Sequence, residues 1–310
     1  MSLIRIEDVE FIRFSAPDLN EMRRFLSAFG LFDSGDDTAD VLRMRGTGSA
    51  PFIHETILGE AGFAGLALRA SGLKDLEVLA EAEGVDIHPA PGRGGGHVVT
   101  LFDPDDFRVD VVAKARVAEM KHGSRAPWNV AERRERTGQT KRIAPGPANV
   151  VRLGHAVMAV SDIVATWEWW QSRFGLLVSD EVRGPDGNIA ALFIRCDRGG
   201  VPVDHHSLNF FSIPGMPPHF HHAAFEVADM DDLMAGMHHL EGAGYQHDWG
   251  VGRHILGSQV FDYWRDPWGN RVEHWTDGDL FDSTIPPNVT DIPTMMGHQW
   301  GPEAPADFAA

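Results

Sequence analysis

The chain has 310 residues but a single cysteine, Cys196, and only two tyrosines. One cysteine excludes an intrachain disulfide and fits a reducing compartment, so a cytoplasmic protein is expected. Positive charge is scarce too: 27 Lys and Arg stand against 45 Asp and Glu, a formal net charge of −18. That balance argues against nucleic acid or an anionic membrane as partner. No apolar run approaches the length needed to cross a bilayer. The opening MSLIRIEDVE lacks the basic, apolar and small-residue sections of an export signal, so no export is expected. With 43% apolar and 23% charged residues, the remainder has the profile of a soluble globular protein, long enough for two domains.

Histidine is the residue present in excess of need. Ten of the sixteen fall between 205 and 274, together with Tyr263 and with Glu273 at the end of an apolar strand. Histidine is the commonest protein metal ligand and the usual acid or base near neutral pH. A histidine-rich run that also carries strand patterning therefore points to an active site.

The chain repeats. VEFIRFSAPDLNEMRRFLSAFGLF reads as a strand and then a helix, capped by Asp18 and stopped by Gly30. VRLGHAVMAVSDIVATWEWWQSRFGLLV repeats it, with Asp162 in place of Asp18 and Gly175 in place of Gly30. GLALRA followed by LKDLEVLAEAEG is matched by HFHHAAFEV followed by MDDLMAGMHHLEGAG, and FDPDDFRVDVV by RDPWGNRVEHW. Four like modules in two pairs imply an α+β protein of βαβββ units, each pair a curled mixed sheet around a central cavity. The expected division is residues 1–114 for the first pair, 115–148 for a basic, Pro-Gly-Pro-terminated connector, 149–280 for the second pair and 281–310 for a tail that could cover the cavity.

Comparing the pairs singles out three residues. His155 stands where the first pair has Phe11, His222 where it has Gly65, and Glu273 where it has Asp110. Two imidazoles and a carboxylate from three strands make a 2-His-1-carboxylate set, which leaves metal positions open for a bidentate substrate and O2 at Fe(II). Mn(II) suits the same ligands. The first pair keeps one acid and no imidazole, so a structural role without metal is expected of it. Period-two alternation predicts that only one of His221 and His222 faces inward.

These residues resemble the type I extradiol ring-cleavage dioxygenases of the vicinal oxygen chelate superfamily. The motifs that carry the resemblance are LGHAVM, HHSLNF, FHHAAFEV and GRHILGSQVFDYWRDPWGNRVEHW, and it extends over about residues 5–280. The resemblance implies iron ligands at His155, His222 and Glu273, a catalytic histidine at His206, and a pair, His254 and Tyr263, that hydrogen-bonds the bound diolate. It also implies a small aromatic diol as substrate, O2 as co-substrate and a homo-oligomer. His206 is preferred to its neighbour His205 on that likeness alone.

Among the other histidines, His238 and His239 read as a solvated helix face. His219, His247 and His274 fit pocket or surface equally well. The WEWWQ cluster reads as core and interface. Val157 and Leu256, close to His155 and His254, make the pocket apolar, and the tail from 277 onward holds no Lys or Arg. A neutral alkyl- or aryl-substituted catechol or a polyhydroxylated aromatic is therefore expected, since a carboxylated substrate would have to recruit Arg253 or Arg198. The rival readings are a metal-dependent isomerase or transferase of the same superfamily and a non-enzymatic binder of an aromatic ligand or antibiotic. Neither needs the set His206, His254 and Tyr263.

Overall fold

A computed structural model describes residues 2–114, 116–120 and 126–309. Two mixed sheets, one of eight strands and one of ten, hold most of the strands. Each sheet is built on the same plan. The two module-opening strands pair antiparallel in the middle: Ile6–Ala16 with Gly62–Ala70 in the first half, Val150–Ala159 with His219–Val227 in the second. Each is flanked on its other side by the last strand of its own module, in parallel. The α+β modules expected from the repeat are those observed.

The helices start and stop as the sequence predicts. Asp18 accepts from the backbone N–H groups of Asn20 and Glu21, and Asp162 from those of Val164 and Ala165. Gly30 closes the first helix at φ 113°, and a Cβ there would meet the Ala148 carbonyl oxygen at 2.2 Å. That glycine is required by close approach as well as by backbone angle. Among the described residues of 115–148 there is no helix, while Ala115 and residues 121–125 lie outside the description.

The halves share one apolar core. Phe63 stacks on Phe220 at 4.4 Å between ring centroids, and Phe29 stacks on His274 at 3.8 Å. Backbone N–H groups of Thr47 and Gly48 donate to the carbonyls of Val150 and Val151. Trp170, from the WEWWQ helix, is fully buried and donates its indole N–H to Asp103 across the junction.

Residues after 280 complete the second half. Asn288–Asp291 pairs with one edge of the ten-stranded sheet and His298–Trp300 with the other, with the short helix Ile292–Met296 between them. The tail thus straps the two edges of the curled sheet, which would otherwise stay unpaired, and its Ile292, Met295, Met296 and Phe308 line the cavity.

Candidate metal centre and active site

Register places the three candidate ligands around one small residue. Ala224 lies opposite His155 on one neighbouring strand and opposite Glu273 on the other. His222, two residues earlier on the strand of Ala224, shares its face. The first sheet has the same row, with Ala67 between Phe11 and Asp110, so the counterparts expected from the repeat occupy matching positions. Gly154, beside His155, leaves room for the Trp275 indole, which a Cβ would meet at 2.5 Å.

The ligand atoms of His155, His222 and Glu273 all lie within 4.8 Å of one another, and all three residues are buried. Glu273 Oε2 is 3.3 Å from His155 Nε2 and 3.4 Å from His222 Nε2. Even so, both Glu273 oxygens and His222 Nε2 lack an aligned hydrogen-bond partner. Buried polar atoms left in that state are costly. Burial pushes the Glu273 carboxyl up and the His222 imidazole well down, so neither carries its charge easily by itself. Unsatisfied lone pairs on Glu273 and His222 Nε2, with His155 Nε2 converging on the same carboxylate, are what a divalent cation would satisfy, and the donor set fits one.

The same position in the first half is filled by protein. Arg13, the counterpart of Val157, donates to Asp110 at 2.8 Å and to Glu55 at 2.6 Å, and Arg43 holds the other Glu55 oxygen at 2.7 Å. A guanidinium thus neutralises the acid that corresponds to Glu273.

A cavity of about 250 Å³ opens onto His155 and His222, the two imidazoles of the set. His206, His254, Tyr263, Val157 and Leu256 all line it, so the cavity residues singled out from sequence meet there. Tyr263 Oη lies 2.9 Å from His254 Nε2, and the His254 ring stacks on Phe261 at 4.0 Å. Burial, then the neighbouring His155 and His298, takes His254 down to about 3. Burial, then Glu273, holds the Tyr263 phenol well above its ordinary range. The pair is therefore neutral, with a hydroxyl proton to share. His206 sits 4.2 Å from His155 between ring centroids, and burial keeps it neutral as well. Phe193, Phe211, Ile213, Met295, Met296 and Phe308 supply most of the remaining wall, and among the described residues no Lys or Arg lines it.

Two sequence expectations need correction. Strict alternation does not hold at the histidine pair: the register slips one residue between Phe220 and His222, a bulge that turns both His221 and His222 into the cavity wall. Neither arginine considered for a carboxylated substrate reaches the cavity. Arg253 is held by Ser258 and Asp277, and Arg198 pairs with Glu7. The remaining histidines serve elsewhere. His274 is buried at 2.7 Å from the Phe29 carbonyl, His247 lies 2.7 Å from Asp262, and His219 is 3.0 Å from the Pro217 carbonyl.

Sequence reasoning missed the supports behind the cavity. His221 Nδ1 lies 2.6 Å from His222 Nδ1, and His221 Nε2 lies 2.5 Å from the Phe308 carbonyl. A ring nitrogen that close to a carbonyl oxygen must carry the proton between them. Arg271 Nη1, 2.6 Å from the same Nε2 and 2.8 Å from the same carbonyl, therefore donates to the carbonyl. With its proton on Nε2, His221 accepts at Nδ1 from His222, and His222 Nε2 is a bare lone pair directed at Glu273. Hydrogen bonding behind a ligating imidazole fixes the tautomer that can bind metal. Only the doubled histidine hinted at this, because the Phe308 partner is 87 residues away.

A family model described as the Glyoxalase/Bleomycin resistance protein/Dioxygenase superfamily matches residues 152–274. The match falls in the second half of the chain, and the fold of the whole is the vicinal oxygen chelate fold of that group. Over nearly its full length it is similar to named dioxygenases. It is 26% identical over 309 residues to Metapyrocatechase 2 of Cupriavidus necator, covering 98% of this chain and 91% of the relative. It is 25% identical over 311 residues to biphenyl-2,3-diol 1,2-dioxygenase of Paraburkholderia xenovorans, covering 95% of each. Among solved structures, homoprotocatechuate 2,3-dioxygenase of Brevibacterium fuscum superposes with a TM-score of 0.80 at 18% identity, over 99% of this chain and 92% of the other. The Mn(II)-bound glyoxalase of Novosphingobium aromaticivorans superposes at 0.78 with 22% identity, over 97% and 93%.

Proposed function

We propose that the chain is an Fe(II)-dependent extradiol dioxygenase that opens the ring of a catechol-type diol bearing an apolar substituent. The observation that carries the reading is the convergence of His155, His222 and Glu273, with the Glu273 oxygens and His222 Nε2 unsatisfied, beside an apolar cavity that also holds His206 and the His254–Tyr263 pair. His155, His222 and Glu273 would hold Fe(II), which would supply the Lewis acidity and redox chemistry that let a diol react with O2. The diol supplies both electron pairs, both oxygen atoms end in the ring-opened semialdehyde or keto acid, and no external reductant is needed.

The protein's part is binding and proton handling. The His254–Tyr263 pair shares its proton with one diol oxygen and so favours that oxygen in its anionic form. His206, neutral and next to His155, takes a proton at Nε2 and returns it as the O–O bond breaks. The apolar wall and the strap keep water out, which strengthens each of these contacts. A lining without Lys or Arg favours a neutral alkyl or aryl substituent, in keeping with the biphenyl-2,3-diol in the name of one relative.

An isomerase reading would suit the glyoxalase that shares the fold, but it gives no role to the set His206, His254 and Tyr263. Anaerobic reconstitution with Fe(II), followed by 3-methylcatechol or biphenyl-2,3-diol in air, separates the two. A yellow ring-fission product is expected. Its absence with a dozen substituted catechols, from protein carrying full iron, would overturn the proposal.

A further inference from the structure

Behind His206 lies a second buried line of polar groups that faces away from the cavity. His206 Nδ1 is 3.1 Å from His205 Nδ1, and His205 Nε2 is 2.7 Å from Asp180 Oδ2. Asp180 Oδ1 accepts from Asn288 Nδ2 at 2.7 Å, and Asn288 belongs to the tail strand. All three inner groups are almost fully buried. The backbone around them is pinned: Ser179 Oγ donates to the His205 carbonyl at 2.5 Å, and the His205 N–H donates to the Asp279 carbonyl at 2.9 Å. Gly257 allows the imidazole its place, since a Cβ there would stand 3.0 Å from His205 Nδ1.

The direction of each hydrogen bond follows from the ends. A carboxylate only accepts, and burial, which would raise Asp180, is outweighed by the hydrogen bonds from His205 and Asn288, which hold the carboxyl below its ordinary range. His205 must therefore give its Nε2–H to Asp180. With that single proton on Nε2, His205 offers Nδ1 as the acceptor across the 3.1 Å contact, and His206 gives its Nδ1–H. His206 is left with a lone pair on Nε2, the one ring nitrogen free to serve the cavity. We propose that Asp180 and His205, with Asn288 orienting the carboxylate, are positioning residues that fix the ring and tautomer of His206, so that Nε2 enters each cycle as the acceptor of the diol proton. The inference rests on the dioxygenase reading for what the proton is used for, but not for the tautomer.

Asn288 makes the test specific. In Asp180→Asn, the new amide must turn its oxygen toward the Asn288 amide N–H, so its NH2 faces His205. His205 then has to carry its proton on Nδ1 and donate to His206, and His206 Nε2 becomes an N–H with no lone pair. Adding Asn288→Asp reverses this, because the carboxylate introduced on the tail strand accepts from the amide and turns the amide oxygen back to His205.

The variants are compared as iron-loaded protein by metal content, by anaerobic binding of 4-nitrocatechol, whose absorbance reports its protonation state, and by turnover in air of the best catechol found. Asp180→Asn should keep its iron and bind nitrocatechol within about threefold of the parent. It should fail to give the fully deprotonated chromophore and lose kcat by roughly 100-fold with little change in KM. The double variant should regain most of both. Nitrogen chemical shifts of His206 in the metal-free protein give a readout that needs no turnover: Nδ1–H in the parent and the double variant, Nε2–H in Asp180→Asn. Parent-like shifts and kcat in Asp180→Asn, or no recovery in a folded double variant, would overturn the proposal. Should Asp180→Asn not fold, His205→Gln carries the same expectation of full iron and lost deprotonation, and a parent-like chromophore there would equally overturn it. If no variant or parent turns over any catechol while the shifts behave as described, the dioxygenase reading fails and the tautomer assignment stands.

Discussion

Replacing Val157 with arginine should empty the metal centre. The first half of the chain has already made this change: Arg13 occupies the corresponding position, with its guanidinium 2.8 Å from Asp110 and 2.6 Å from Glu55. In the second half, Val157 faces the cavity, so a longer side chain has space, and its natural partner is Glu273. A guanidinium roughly 5 Å from a divalent ion is repelled by about 7 kcal/mol at an effective dielectric constant of ~20. If half of that is relieved by the side chain bending toward the mouth, about 3 kcal/mol remains, a more than hundredfold loss of metal affinity. The assay is iron per chain after dialysis against a weak chelator, with thermal unfolding to show that the variant is folded. A folded Val157→Arg that keeps one iron per chain would refute the view that the two halves differ by a guanidinium in place of a metal.

The reciprocal change, Arg13→Leu, should leave iron content intact and lower global stability by about 3 kcal/mol in urea titration, since it strips a buried guanidinium from two carboxylates. Arg43 and Arg108 still hold part of that charge, so a loss of about 10 kcal/mol, well beyond the usual cost of breaking a buried pair, would be as damaging to the account as none. Deleting residues 306–310 removes the Phe308 carbonyl behind His221 and should speed iron loss to a chelator by about 10- to 100-fold, whereas an unchanged rate would detach the tail from the ligand set. Acid should destabilise the fold through buried neutral histidines. Burial lowers His54 from 6.5 to about 3, so its contribution is complete above pH 6.5 and is lost as pH falls toward 3. Between pH 7 and pH 5 that loss amounts to about 2 kcal/mol, and His54→Leu should be spared it in urea titrations at the two values.

Much of the site was legible because the chain repeats. Matching Phe11, Gly65 and Asp110 to His155, His222 and Glu273 needed only periodicity, and the strand registers around Ala67 and Ala224 show why the match works. What stayed hidden depends on departures from regularity or on distance along the chain. A one-residue bulge turns His221 inward, where alternation sends it out. Arg13 looks like any strand arginine until Glu55 and Asp110 are seen on either side of it. Asn288 is 108 residues from the Asp180 it orients, and Phe308 is 87 from the His221 it supports, so no local pattern connects them. The tail illustrates the same limit. Its lack of cations was readable, but its pairing with both edges of one sheet was not.

The central claim is that the three-ligand site uses O2 to open a diol ring. Turnover of biphenyl-2,3-diol or 3-methylcatechol by iron-loaded protein under 18O2, read by mass spectrometry after a short quench, tests it directly. The account predicts a ring-opened product carrying two labelled oxygens, and none from Glu273→Ala, which should hold no iron. An unlabelled or ring-intact product, or full iron and full turnover in Glu273→Ala, would contradict it.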